Sequence, residues 1–234
     1  MNTTLLEPTL GIRHDLYAEI HKGVRFALCQ TLNRLGAMDT ADEGEVSATL
    51  AELRGVLAFL AGHLKHEDEH IHPAMEARTP GSTAILDTDH RGHEASLQDL
   101  EALAVAVAAA PAAERALPAN RLYRAFAHFT GENLEHMDYE ESHNNAVLWD
   151  AYTDAELQGI ESRLIASVGP EEMSAAMGWM LRGMAPAERA AKLAGIRAAA
   201  PAPVFQGLLA LAQAKLSPRD WAKLALALEL QPTA

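Results

Sequence analysis

Two stretches of the chain combine imidazole and carboxylate side chains at helical spacing. In His136-Met137-Asp138-Tyr139-Glu140-Glu141-Ser142-His143, the steps from His136 to Glu140 to His143 are four and three. On an α-helix such steps share one face. The stretch His63-Leu64-Lys65-His66-Glu67-Asp68-Glu69-His70 repeats that spacing. Imidazole with carboxylate suits iron, manganese or zinc, whereas copper(I) and iron–sulfur clusters need thiolate. Two inward carboxylates on facing helices can bridge a pair of ions, with imidazoles completing each one. The two stretches are therefore read as opposite sides of a two-metal site inside a helical bundle.

The elements that must position them follow from the apolar pattern. A first helix is expected from about Leu10 to Leu35, after an irregular arm over residues 1–9. Its seam reads Leu10, His14, Tyr17, His21, Val24, Leu28. Thr40-Ala41-Asp42-Glu43 reads as a capping box opening a second helix that runs to about Arg78. On that helix Val46, Leu50, Leu53, Leu57 and Leu60 give way to His63, Glu67 and His70 on the same face. Buried polar groups are costly unless paired or metal-bound, so this hand-over points to a site. Thr79-Pro80-Gly81-Ser82 breaks the chain. A third helix, from near Ser82 to before Pro111, carries His90 and His93 between Leu86 and Leu97. A fourth, from about Ala119 to Trp149, carries Asn133, His136, Glu140 and His143 beyond Phe126 and Phe129. The fold class is all-α: an up-down-up-down four-helix bundle followed by a C-terminal set of short helices.

That C-terminal set opens on a second capping box, Thr153-Asp154-Ala155-Glu156, and contains no histidine; the last in the chain is His143. Gly169-Pro170, Ala185-Pro186, Pro201-Ala202-Pro203 and Ser217-Pro218 mark further helix starts, since proline is tolerated at the first helical position. They show no fixed period of the kind that marks a repeat array. The expected division is a bundle over 1–152 and a helical extension over 153–234. Met173, Met177, Met180 and Met184 recur at helical steps and read as core of that extension.

Composition narrows the function classes. The chain has 19 basic and 32 acidic residues, a net charge of −13. That balance disfavours nucleic acid and anionic membranes, which select basic patches. The single cysteine, Cys29, sits at a helical position near Leu28 and Leu32 and reads as a buried, inert thiol. There is no basic-then-apolar leader and no apolar run of membrane-spanning length, so a cytoplasmic location is expected. No catalytic triad, phosphate-binding glycine loop or dinucleotide fingerprint occurs.

The order His14, His63-x-x-x-Glu67, His90, His136-x-x-x-Glu140 resembles the hemerythrin-like (HHE cation-binding) family over about residues 10–152. His72-Pro73 after the second helix's motif and the Asp89-His90 pair resemble the family as well. The resemblance implies a four-helix bundle around a non-haem centre of two iron ions that meets dioxygen, nitric oxide or peroxide. By carry-over, His14, His63, His90 and His136 are terminal ligands, and Glu67 and Glu140 are bridging carboxylates. Manganese and zinc accept similar ligands. The oxygen-carrying members have a second third-helix histidine four residues after the first. Here that position is Glu94, and His93 lies three residues on. The last carboxylate is also a Glu four residues after its histidine rather than an Asp five after. Both departures weigh against reversible oxygen carriage.

Further side chains join the candidate set. His93 or Glu94 could supply the missing third-helix ligand. His70 and His143 extend the motifs at Glu-x-x-His spacing, which ferritin-like di-iron proteins share, and read as partners that orient the bridging Glu residues, as ligands of an additional metal, or as core histidines. His21 lies two turns from His14, roughly 10 Å along the axis, so the two are not expected to ligate one cluster together. Tyr17, one turn from His14, reads as a core aromatic or as a hydrogen-bond partner for a metal-bound oxygen species. His66, His72 and His128 fall off the seams, at the surface or rim. Three functions compete: small-molecule binding or sensing; an oxygenase, oxidase or peroxide-decomposing enzyme; and a module whose C-terminal helices pair with a second copy or a protein partner.

Overall fold

A computed structural model describes residues 13–230; the expected arm and the Leu10 helix start lie outside them. The described residues are helical with no strand. The bundle consists of α1 (Ala18–Ala37), α2 (Glu43–His66), α3 (His72–Arg78), α4 (Leu86–Ala109), α5 (Ala116–Tyr139) and α6 (Asn145–Ala151). Helix α2 runs into α3 through a π turn over Glu67–Ile71, and α5 into α6 through a π turn over Glu140–Asn144. Each pair is thus one long rod with a single wide turn. Helix α1 packs on α2 and α5, and α4 packs on α2 and α5, which closes the four-rod bundle.

Two helix starts differ from the sequence expectation for local chemical reasons. Helix α1 begins at Ala18, because Asp15 Oδ1 accepts the Tyr17 and Ala18 amide hydrogens at 2.8 and 3.0 Å. A short carboxylate that bonds the backbone two and three residues on favours a turn over helix. Helix α2 is capped by Asp42, whose Oδ1 accepts from the Glu45 amide at 3.0 Å; Thr40 lies in the preceding turn. Cys29 is exposed on α1, not buried as its neighbours suggested.

Five helices follow: α7 (Asp154–Ser167), α8 (Pro170–Gly183), α9 (Pro186–Ala199), α10 (Ala202–Lys215) and α11 (Pro218–Ala227). Their first residues fall sixteen apart, and the first four are each 14 residues long. A fixed period is therefore present, contrary to the expectation. It sits in the cap–first-turn unit rather than in the apolar residues. Thr153 and Ser217 cap with their hydroxyls, and Glu188 accepts from the Ala185 amide at 2.8 Å. Proline occupies the first turn of the last four. The core of this run is Met177, Met180, Leu181, Met184, Leu193, Phe205, Leu224 and Leu228. The methionine stripe is core, as expected, apart from the part-buried Met173.

Helix α8 lies along α1. A Cβ placed on Gly183 would stand 2.2 Å from the Lys22 carbonyl oxygen, and one on Gly23 3.0 Å from the Met180 backbone nitrogen. The absent side chains permit this approach. Helix α7 covers the far end of the bundle, where Leu157 and Ile160 join Tyr17, Ile71, Met75, Leu86 and Leu148. No helix among the described residues is long and apolar enough to cross a membrane.

Candidate metal centre

Every rod of the bundle carries a polar step between two apolar ones. On α1, His21 lies between Tyr17 of the far-end cluster and Val24 of the main core. On the second rod, His63 and Glu67 follow Leu60 and precede Ile71; on α4, His90 and His93 lie between Leu86 and Leu97. On the last, His136 and Glu140 lie between Phe129 and Leu148. The result is a polar layer sealed by apolar layers on both sides.

Within that layer the side chains form two groups that share both carboxylates. His21, His63, Glu67 and Glu140 make one; His90, His136, Glu67 and Glu140 make the other. Glu67 Oε1 lies 3.4 Å from His63 Nε2 and 3.7 Å from His21 Nε2, while its Oε2 lies 3.8 Å from His90 Nε2. Glu140 Oε2 lies 3.3 Å from His21 Nε2, and its Oε1 lies 3.5 Å from His136 Nε2. Each carboxylate thus turns one oxygen to each group. His90 Nε2 and His136 Nε2 point at one another at 3.1 Å.

The donor set fits a pair of ions better than it fits a metal-free core. Glu67 and Glu140 are buried, and none of their four oxygens has a hydrogen-bond partner; nor has His21 Nε2. Each such orphan costs about 1–3 kcal/mol, and more where the group is charged. Burial pushes the Glu67 carboxyl up to about 8, and the facing Glu140 adds to the push. Burial likewise pulls His63 down to about 3, so its ring is neutral and its lone pair free to ligate. For His21, burial lowers the pKa, but the facing carboxylates of Glu140, Glu141 and Glu67 outweigh it, and the net shift is upward.

The outer contacts hold the rings in place. Glu141 Oε1 accepts from His21 Nδ1 at 3.0 Å, and Arg25 clamps the same carboxylate, its Nη1 donating to Oε1 and its Nη2 to Oε2. Asp68 Oδ1 accepts from His90 Nδ1 at 2.8 Å, and Asp89 Oδ2 lies 3.5 Å from His136 Nδ1. A carboxylate on the far nitrogen of an imidazole fixes its tautomer and raises its basicity toward a metal. The Tyr17 hydroxyl is buried and accepts from Asn144 Nδ2 at 3.1 Å. Burial, then the Glu140 and Glu67 charges, raise its pKa well above that of a free phenol.

The sequence-predicted residues sort as follows. His63, Glu67, His90, His136 and Glu140 are brought together. His14 is not: it precedes α1, its Nε2 lies 3.0 Å from Glu161 of α7, and His21 occupies the fourth imidazole position. Asp15 explains the difference, because it takes His14 off the helical face that the seam assumed. His93 is buried with its ring edge-to-face against His136, while Glu94 is exposed. His70 and His143 do not reach the two groups. In each π turn the amide five residues on bonds back to the glutamate carbonyl, from His72 to Glu67 and from Asn145 to Glu140. The extra residue rotates the inward face by one position, so Ile71 and Asn144 are buried where His70 and His143 were expected. His70 meets Ser167 Oγ at 3.0 Å and His143 stacks on Tyr139. His66 and His72, expected at the rim, are buried, and His128 is exposed. Asp68, Asp89 and Glu141 were missed as partners of the rings; each is one residue from a histidine or glutamate of the motif, on the neighbouring face.

This is an all-α bundle whose interior layer offers four imidazoles and two shared carboxylates, a donor set consistent with a two-metal site. The family model described as the hemerythrin HHE cation binding domain matches residues 19–148, more than half of the chain. The chain belongs to that family, with additional helices beyond the match. No curated protein and no solved structure matches it significantly.

Proposed function

We propose that the chain is a non-haem di-iron protein that binds or senses dioxygen, nitric oxide or peroxide. In this reading His21 and His63 hold one ion, His90 and His136 the other, and Glu67 and Glu140 bridge them. The observation that carries it is the shared placement of the four buried, unpartnered carboxylate oxygens. The family match supports the same set, since it starts at residue 19 and so includes His21 but not His14. Imidazole and carboxylate donors suit iron, with manganese and zinc as the competing ions.

Two iron ions would supply one-electron redox chemistry and exchangeable positions for a small ligand. The chain's own residues supply the rest. The apolar layers on either side keep water from the site. Tyr17 keeps its proton, because burial and the two carboxylates raise its pKa, and it receives the Asn144 amide rather than spending its own hydrogen there. Its hydroxyl is a fixed donor beside His21, the two rings being 5.2 Å apart. Metal analysis with absorption spectra before and after oxygen or nitric oxide tests this reading. At least two iron ions per chain and a ligand-dependent spectrum are expected; fewer than two at saturation overturns it.

A second reading, a di-iron oxygenase, oxidase or peroxide-decomposing enzyme, is favoured by His93. Its buried ring lies 4.8 Å, centroid to centroid, from His136, and its Nδ1 has no partner. A third-helix imidazole that stands beside the ligands, rather than among them, leaves that ion a position for substrate. Product formation from an added reductant and oxygen, lost in His93→Phe with both irons retained, is the result expected if the site turns over.

A further inference from the structure

The two-ion layer does not account for His72. The side chain is only 4 % exposed, yet neither ring nitrogen has a hydrogen-bond partner. It follows the π turn and faces a cavity of about 350 Å³ between the second rod and the start of α4. His72 Nδ1 lies 3.0 Å from Asp68 Oδ1, too oblique for a hydrogen bond, and 3.7 Å from Asp87 Oδ1. The other Asp87 oxygen, Oδ2, accepts from Thr83 Oγ1 at 3.5 Å, which leaves Oδ1 toward the ring.

Two further lining groups, Glu76 and Arg91, are engaged outside the cluster. Glu76 accepts from the Gly81 and Thr83 amides and from Thr83 Oγ1. Arg91 is the one arginine or lysine lining the cavity, and it donates to Thr88 Oγ1 at 3.1 Å. Two carboxylates therefore stand within 4 Å of a buried imidazole, and the lining sets four acidic side chains against the single guanidinium of Arg91. Asp68, His72 and His90 offer ligand atoms within 4.8 Å of one another, and Asp87 Oδ1 stands beside that group, 3.7 Å from His72 Nδ1; imidazole and carboxylate donors of this kind suit a divalent ion such as manganese, iron(II) or zinc. Asp68 also accepts from His90 Nδ1 at 2.8 Å, so an ion here would share a carboxylate with the ring that faces the inner pair.

We propose that Asp68, His72 and Asp87 form a third divalent-cation site at the inner end of this acidic cavity, separate from the pair between Glu67 and Glu140. The site adds to the two-ion reading without depending on it, because it draws on a different set of side chains for its donors.

The test is manganese(II) binding to the full chain, counted by equilibrium dialysis and by the free-ion paramagnetic resonance signal. Three ions per chain are expected in the natural sequence. Asp87→Asn should weaken one ion at least about tenfold and leave two, in line with the loss of a metal-site carboxylate. Asp87 is exposed, so this variant should fold, and His72→Gln is the second variant. Glu67→Ala should lose the pair and keep the third ion. Two ions in the natural sequence, or a third held with unchanged affinity in both cavity variants, overturns the proposal. A single ion in the natural sequence, lost in Asp87→Asn and untouched in Glu67→Ala, would sustain this site and overturn the two-ion reading instead.

Discussion

The interior layer of the bundle and the run of helices from Asp154 to Ala227 are built on opposite terms. The layer buries groups that repel one another or lack partners: two carboxylates and four imidazoles in a sealed slab. The run buries methionine, leucine and phenylalanine, and its one fully buried cation, Arg189, donates to the Leu181 and Met184 carbonyls. In the run, every helix is announced by its cap and first turn, at a spacing of sixteen. In the bundle, the decisive breaks are two π turns without any proline or glycine inside them. The run's interior is mostly apolar, whereas under the two-ion reading the layer's carboxylates would be balanced by the bound cations. The difference teaches that the two regions should answer to different perturbations.

The largest effect should come from removing a shared carboxylate. Glu67→Ala or Glu140→Ala takes an oxygen from both ion positions at once, and reconstitution at micromolar metal should no longer fill either position of the inner pair. Substituting even an outer partner of a ligand weakens metal binding roughly 10–100-fold, and a bridging ligand should exceed that. His21→Ala should empty one position and weaken the other. Loading with metal should raise the melting temperature of the natural chain, since a ligand that binds only the folded state stabilises it, and Glu67→Ala should lose that response. A variant that keeps paired metal would break the assignment of the layer.

A smaller and opposite effect is expected where the run meets the bundle. Gly183→Ala places a methyl group against the Lys22 carbonyl at a distance no packing tolerates. Overpacking of this kind costs about 1–3 kcal/mol. Urea unfolding should register the loss while metal content stays at the natural value. If Gly183→Ala also lost metal, the two regions would not be separable in the way their interiors suggest.

Acid should act on the same boundary. Glu156 of α7 accepts from Arg78 of α3 and from the Thr153 amide and hydroxyl, and these bonds, Arg78 first, hold its carboxyl down to about 2. Its folded pKa lies below the unfolded carboxylate value of about 4.3. Its contribution is thus present above that value and is lost as pH falls toward 2. Glu156→Gln should therefore destabilise the chain at neutral pH, with the gap to the natural sequence closing between about pH 5 and pH 2. A gap that persists through that window would assign the effect to the cap geometry and not to charge.

How much of this was legible depends on what kind of signal marks each feature. The four rods could be read because apolar side chains recur at threes and fours over many turns, and Thr153 and Ser217 could be read because a hydroxyl before an acidic first turn has a defined job. The convergence of His63, Glu67, His90, His136 and Glu140 followed from the same face rule. The rule failed where the backbone left the 3.6-residue turn. Glu67 and Glu140 each start a π turn, and a one-residue shift of face took His70 and His143 outward and brought Asn144 in. No local residue type announces such a turn. The period of sixteen went unseen because apolar positions differ from helix to helix; only the caps repeat.

His14 is where the two regions were confused, and it gives the smallest predicted effect. Its spacing to Tyr17 and His21 made it look like part of the layer. Asp15 stops the helix short, and the Asp154 carboxylate then accepts from the His14 amide at 3.3 Å and pairs with Arg13. The His14 ring meets Glu161, so its contacts are with α7 and not with the metals. Both partners of that pair are partly solvent-exposed, and such pairs contribute about 0–1 kcal/mol. His14→Ala should therefore leave metal content and spectrum unchanged and lower stability by no more than that. Set beside His21→Ala, which should empty an ion position, it tests the register of the first helix directly. Loss of metal in His14→Ala would return that residue to the layer and undo the boundary drawn at Asp15.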